Sequence, residues 1–211
     1  MVLGQPLSVA NRLLATQFGH QASAPAKIAR MGIIHLIRHA EPLFDGSGRV
    51  CGSEFSNHVR LYNEAGIADL PKPVNIEGSI IVFASNLPRS IETARAMFPG
   101  VAVNTSREFR EVPIPTGFPA WISLSFASMT LVARALWLIR LHCGTESPRQ
   151  AKCRARRAIA LLLQGLESAE KAALVGHGYM NRLIGRELCS LGWRRTGSSG
   201  YGYCSVQTYE L

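Results

Sequence analysis

The chain has 211 residues, 47% of them apolar and 18% charged, with 23 lysines and arginines against 14 acids for a net charge of +9. This length can bury a full core in one domain, and the apolar share excludes a disordered chain. The five cysteines, at 51, 143, 153, 189 and 204, form no Cys-x-x-Cys pair and leave one odd, which excludes a disulfide scaffold or zinc cluster and fits reduced thiols in a cytoplasmic protein.

Residues 1–30 contain no acid and carry only Arg12, Lys27 and Arg30 as charges. No apolar core of the kind a secretory signal needs is present, although a transit peptide shares this composition. We read 1–30 as a mobile N-terminal extension and 31–211 as the domain, with Met31 as an alternative start. The first expected strand is Gly32–Ile37, apolar with little alternation, as in a buried parallel sheet. Within it, His35 is a structural strand residue. Ser79–Ala84 and Ala172–Val175 read likewise, Val101–Val103 is a short fourth candidate, and Tyr203–Tyr209 alternates as a terminal edge strand would. Pro88 suits the first turn of a helix running to Met97. A longer helix is expected from Ala120 to about Leu141. Ser147-Pro148-Arg149-Gln150 forms a capping box that opens a helix with Ala151, Ala155, Ala158, Ile159, Leu162 and Leu166 on its apolar face. Met180, Leu183, Ile184, Leu188 and Leu191 mark the next helix, and Gly197–Gly200 is a loop. Strands alternating with helices predict an α/β fold: a mostly parallel central sheet with helices on both faces.

Val112–Ala133 is free of Asp, Glu, Lys and Arg. Pro113, Pro115, Gly117 and Pro119 break its first third, so no membrane span is expected. Arg149, Lys152, Arg154, Arg156 and Arg157 crowd the start of one helix, mostly opposite its apolar stripe, and read as a solvated face. No aromatic interleaving or binding motif argues for nucleic acid.

Four separated stretches carry the chemistry: Ile37-Arg38-His39-Ala40-Glu41; Ser85-Asn86-Leu87-Pro88-Arg89 with Thr93-Ala94; Phe109-Arg110-Glu111; and Gly176-His177-Gly178. Arg38-His39, Arg89 and His177 each lie beside the end of an expected strand, where a parallel sheet gathers its ligand-binding groups. Two imidazoles and two fixed cations suit a phosphoryl group. One imidazole attacks, the remaining groups hold oxygens, and a carboxylic acid protonates the leaving alcohol.

The first stretch resembles the Arg-His-Gly signature of the histidine phosphatase superfamily, which includes the phosphoglycerate mutase-like enzymes. Ser85-x-Leu87-x-Arg89-x-x-x-Thr93-Ala94 is similar to the family's second block, and Gly176-His177-Gly178 to its third. Phe109-Arg110-Glu111 falls where the family carries its proton donor. The Val112–Pro115 continuation and His177–Arg182 resemble uncharacterised bacterial members. The resemblance implies a phosphoglycerate mutase-like fold and a phosphomonoesterase working through phosphohistidine on His39. It also implies a small phosphorylated substrate, with no cofactor and no metal. Arg38, Arg89 and His177 would bind phosphate, His177 as a protonated third ligand. Gly176 and Gly178 would allow close backbone approach, and the following helix would aim its N-terminus at the anion. Glu111 is the expected general acid, preferred over its rival Glu108.

Two departures stand out. Ala40 replaces the family's glycine, and the asparagine and threonine that often follow are absent from Glu41–Gly46. Leu61–Gly66 is only loosely similar to Leu-Thr-x-x-Gly, and Pro71 and Pro73 would truncate the helix behind it. A phosphoglycerate mutase, a non-catalytic phosphate-binding or regulatory protein, and RNA binding through the basic helix are the alternative readings. Substrate identity rests on 44–57 and 112–145, which match no pattern, and oligomeric state leaves no sequence signal.

Overall fold

The computed structural model describes residues 32–75, 77–139 and 145–211. The expected extension 1–30 and Cys143 lie outside them. The order is β1 (Ile33–Arg38), β2 (Arg49–Cys51), α1 (Phe55–Glu64), β3 (Ile80–Ser85), α2 (Pro88–Met97), β4 (Val103–Ser106), a single 3₁₀ turn (Arg107–Phe109), β5 (Ser123–Ser125), α3 (Phe126–Leu138), α4 (Pro148–Gly165), β6 (Lys171–Gly176), α5 (Gly178–Ser190), β7 (Arg194–Ser198) and β8 (Val206–Glu210).

The main sheet runs β4-β3-β6-β1-β8-β7. Its first four strands are parallel, and β8 and β7 add antiparallel to β1. Alternation along β1 divides the core. Ile34 and Leu36 face α4 and α5 with Ala172, Leu174, Ala155, Leu162, Met180 and Ile184. Ile37 turns to the opposite face, toward α2 with Val82, Ala84, Ala94 and Met97. Helices therefore cover both faces, as the alternating pattern predicts. A smaller cluster of Val50, Phe55, Phe126 and Met129 seats α1 and α3 on the two-stranded sheet β2–β5.

Several elements differ from expectation. The strand expected at Val101–Val103 forms at Val103–Ser106. The long helix starts at Phe126 instead of Ala120, because Ser123–Ser125 pairs with Arg49–Cys51 and the Ser125 side chain caps the helix through the Ser128 N–H; its expected end at Leu141 lies outside the described residues. β8 is not the edge strand. β7 lies outside it and takes in Gly197 and Ser198 of the expected loop. The capping box is present, with Ser147 accepting from Gln150 N and Gln150 reaching back to Ser147 N. No helix follows α1 between residues 65 and 79 among the described residues.

The α4 arginines are not simply solvated. Lys152 and Arg156 pair with Glu187, Arg157 with Glu108, and Arg154 with Glu146. Arg154 is mostly buried and also donates to the backbone carbonyls of Glu108 and Arg110. It is an internal strut, drawn inward because those loop carbonyls need donors. His35 is hydrogen-bonded to Thr208 within the sheet, 3.0 Å from its Oγ1. Among the described residues no helix is long and apolar enough to cross a membrane, and cysteines 51, 153, 189 and 204 are free.

Candidate active site

The parallel register builds the centre. Arg38 and Gly176 are partners at the ends of β1 and β6, so the residues after them emerge side by side. The His39 N–H donates to the Gly176 carbonyl at 3.0 Å. The two imidazole centroids stand 5.0 Å apart, nearly edge to face. β3 ends at Ser85, and α2 begins at Pro88 after a turn, which places Arg89 in its first turn beside them. Arg89 is 0% exposed, His39 2% and His177 1%. A surface ion pair is therefore not what Arg89 forms.

His39 Nδ1–H donates to the Ala40 carbonyl at 2.7 Å. That bond fixes the tautomer and leaves Nε2 without a proton. Nε2 in turn accepts from Arg89 Nε at 3.2 Å. Burial, then the Arg89 charge, then Arg38 lower the His39 pKa to about 3, against an opposing bond to the Ala40 carbonyl. Thr93 holds this loop to α2: its Oγ1 accepts from Ala40 N at 2.9 Å and donates to the Arg89 carbonyl at 2.6 Å.

His177 Nε2 is hydrogen-bonded to Ser85 Oγ at 2.8 Å and lies 3.3 Å from Ser90 Oγ, whereas its buried Nδ1 has no partner. Burial foremost, then the neighbouring His39 and Arg89, drive its pKa well below the usual histidine value. Burial thus favours the neutral imidazole of His177 in the free protein, whereas the protonated form is expected beside a bound phosphate. A cation beside two arginines, without an anion, would be left unsolvated and repelled. Gly176 earns its place sterically, since a Cβ there would fall 2.5 Å from Asn181 Oδ1. Gly178 is not so constrained: a Cβ would meet Arg38 at 3.6 Å, an ordinary contact.

Arg38 Nη1 donates to the Tyr201 carbonyl at 2.7 Å, its guanidinium lies 4.3 Å from the Tyr203 ring centroid, and its buried Nε has no partner. Arg89 Nη1 donates to the Tyr62 carbonyl at 2.8 Å, and its guanidinium stacks 4.5 Å from the Tyr62 ring. Tyr62 and Tyr203 thus wall the centre. Neither was singled out by sequence, because Leu61–Gly66 is only loosely similar to the family's motif and gives Tyr62 no role, and Tyr203 was absorbed into an expected strand. No side chain of Glu41–Gly46 bonds to these four residues; the loop is tied by backbone to Gly66 and Ala68 instead.

Glu111 and Glu108 diverge. Glu108 Oε2 accepts from Arg157 Nε at 3.0 Å, on the α4 side. Glu111 turns to the start of α5, where Oε1 accepts from Met180 N at 3.0 Å and Val112 N at 2.9 Å, and Oε2 from Tyr179 N at 3.2 Å. α5 has no side-chain cap of its own at His177. The N-terminus of α5, expected to point at phosphate, is therefore engaged by Glu111 through the N–H groups of Tyr179 and Met180, because unpaired helix N–H groups attract the nearest carboxylate. Arg134, overlooked in the sequence, straps the loop beyond Glu111 by donating to the carbonyls of Val112 and Pro113.

The fold is shared with known phosphoryl-transfer enzymes. Superposition on a phosphoglycerate mutase from Bacillus anthracis str. Sterne gives a TM-score of 0.56 at 13% identity, covering 86% of this chain and 88% of the other. A mycobacterial glucosyl-3-phosphoglycerate phosphatase gives 0.51 at 18% identity, over 84% and 89%. A phosphoserine phosphatase mutant from Entamoeba histolytica, in complex with phosphoserine, gives 0.51 at 14%, over 86% and 94%. Comparison with curated proteins returns no match. The model of the histidine phosphatase superfamily (branch 1) matches residues 34–211, a span that holds both histidines, both arginines and Glu111. The chain belongs to the histidine phosphatase superfamily.

Proposed function

We propose that the protein hydrolyses a phosphomonoester through a phosphohistidine on His39. The observation that carries this reading is the tautomer lock. The Nδ1–H bond to Ala40 leaves the Nε2 lone pair as the nucleophile, and burial keeps it unprotonated far below neutral pH. In the first step Nε2 forms a bond to phosphorus as the bond to the leaving oxygen breaks. The leaving oxygen takes a proton from Glu111, whose Oε2 accepts one N–H only and so keeps a lone pair to carry that proton. In the second step Glu111 takes a proton from water, the hydroxide attacks phosphorus, and the P–N bond returns its electrons to His39.

Arg38 Nε and His177 Nδ1 are buried and unpaired, a costly state that phosphate oxygens would relieve. The bound dianion would also reverse the electrostatics at His177 and favour its protonation. Arg89 would turn from His39 Nε2 to the equatorial oxygens, offsetting charge as transfer proceeds. The chain needs no metal for any of these steps.

The test is a phosphomonoester panel in excess chelator, including sugar phosphates, phosphoglycerates and p-nitrophenyl phosphate. Turnover competed by inorganic phosphate and vanadate is expected. Phosphate binding without turnover of any member would identify a non-catalytic phosphate-binding protein. A second reading, phosphoryl transfer back to a substrate as in a mutase, is favoured by the near-complete burial of His39 and His177, since a water-poor site prolongs a phosphoenzyme.

A further inference from the structure

We propose that the cleft between α5 and the β7–β8 hairpin binds a small polyphosphorylated anion, which reports to Arg38 through Tyr201. The cleft encloses about 640 Å³ and is lined by Arg182, Arg186 and Arg195 with Tyr201, Gln207 and Tyr209. That volume suits a small molecule.

Its three arginines line one cleft that holds no carboxylate. Lys152, Arg154, Arg156 and Arg157 of α4 are, by contrast, paired with Glu108, Glu146 and Glu187. All 14 acids of the chain fall within the described residues, yet none pairs with Arg182, Arg186 or Arg195. The groups that act on the Arg195 charge are Tyr201, Tyr209 and Cys189. The segments outside the described residues contain no acid and so bring no counter-charge. Three guanidiniums lining one cleft without a carboxylate leave a concentrated positive charge, and a polyanion is the chemistry that complements it. Arg182 and Arg186 lie one turn apart on α5, and Arg195 faces them from β7.

Tyr201 links this cleft to the catalytic centre. Its ring carries the Arg182 guanidinium at 4.6 Å from the centroid, and its hydroxyl accepts from Arg195 Nη1 at 3.3 Å. Its carbonyl accepts from Arg38 Nη1 at 2.7 Å. The loop is pinned to the end of β1 where Cys204 N donates to the Arg38 carbonyl at 3.1 Å, with Cys204 at φ 56°, a left-handed conformation rare outside glycine. An anion drawing Arg182 and Arg195 together shifts Tyr201, and with it the guanidinium expected to hold phosphate.

Inorganic tripolyphosphate is the probe, titrated calorimetrically into wild type, Arg182→Gln/Arg195→Gln, and Arg149→Gln/Lys152→Gln, which removes the same charge from α4. All four residues are largely exposed, so the fold is retained. Wild type and the α4 variant should bind alike, and the cleft variant at least about tenfold more weakly, with binding weakening as salt rises. Equal affinity in all three proteins would overturn the site. So would binding of a single-stranded oligonucleotide with none of tripolyphosphate. In the kinetic arm, which rests on the phosphatase reading, tripolyphosphate should change KM for p-nitrophenyl phosphate in wild type and not in the cleft variant. Equal competitive inhibition in both would place the anion at His39 and overturn the proposal. Absence of all turnover would remove the phosphatase reading and leave the calorimetry to decide this one.

Discussion

Arg89 Nε donates to His39 Nε2 across 3.2 Å, so the cation that would bind phosphate also covers the lone pair that would attack it. Nη1 of the same guanidinium is spent on the carbonyl of Tyr62 at the C-terminal end of α1. In the free protein Arg89 therefore satisfies a helix-terminal carbonyl and masks the nucleophile together. A phosphate dianion is the stronger acceptor, and its arrival would unmask His39.

Arg89→Gln should cut kcat/KM by about 10²–10³-fold and weaken competition by inorganic phosphate. It should also raise the His39 pKa, because one of the charges that depress it is gone. Histidine NMR titration reads the second effect independently of turnover. A folded variant with unchanged His39 titration and undiminished phosphate competition would remove Arg89 from the site.

Glu111→Gln separates acid catalysis from helix capping. Loss of the acid should slow alkyl phosphates by about 10²–10⁴-fold and p-nitrophenyl phosphate far less, since nitrophenolate departs without a proton. The capping amides Tyr179 and Met180 keep one carbonyl acceptor in the variant, so stability should fall by only ~1 kcal/mol. Equal losses on both substrates would reject the acid role, and the same profile for Glu108→Gln would reassign it.

Stability should decline on the acid side of neutrality. His39 and His177 are buried neutral, and His35 is lowered by burial and by Lys171. Each regains the ordinary value of 6.5 on unfolding, so below that pH the unfolded chain binds more protons. Their contribution is full above pH 6.5 and is lost as pH falls, at up to ~1.4 kcal/mol per unit per histidine. For His39 the loss continues down to about pH 3. Denaturant melts between pH 7 and 5 should show this slope, and His39→Asn should reduce it by about one proton. A flat profile over that range would contradict the burial of neutral imidazoles.

The sheet that positions these groups was legible because β1, β3 and β6 are buried on both faces and read as unbroken apolar runs. β7 was not, since Arg194–Ser198 is an exposed edge whose charges and glycine carry no alternation. β2 and β5 are three residues each, too short for any period to show. At the site, strand ends and motif spacing foretold that Arg38, His39, Arg89 and His177 would converge. The complete burial of His177, which favours its neutral form in the free protein, was not legible, because it depends on packing. The role of Arg154 was hidden as well: helical spacing put it among exposed cations, and only the 107–111 loop packed on α4 turns it inward.

Arg154→Gln should destabilise the fold by ~2–4 kcal/mol, the cost of stranding a mostly buried Glu146 and two loop carbonyls. Lys152→Gln, at an exposed position with Arg156 still on Glu187, should cost under ~1 kcal/mol. Chemical denaturation of the two variants compares them directly, and equal losses would mean Arg154 bears no more than a surface pair does.

The proposed hydrolysis turns on a covalent phosphoryl group on His39. Rapid quenching during turnover of a ³²P-labelled substrate, followed by peptide mapping, tests it. The label should be acid-labile and base-stable, map to the peptide bearing His39, and be absent from His39→Ala. Acid-stable label on a serine, or turnover that persists in His39→Ala, would contradict the account.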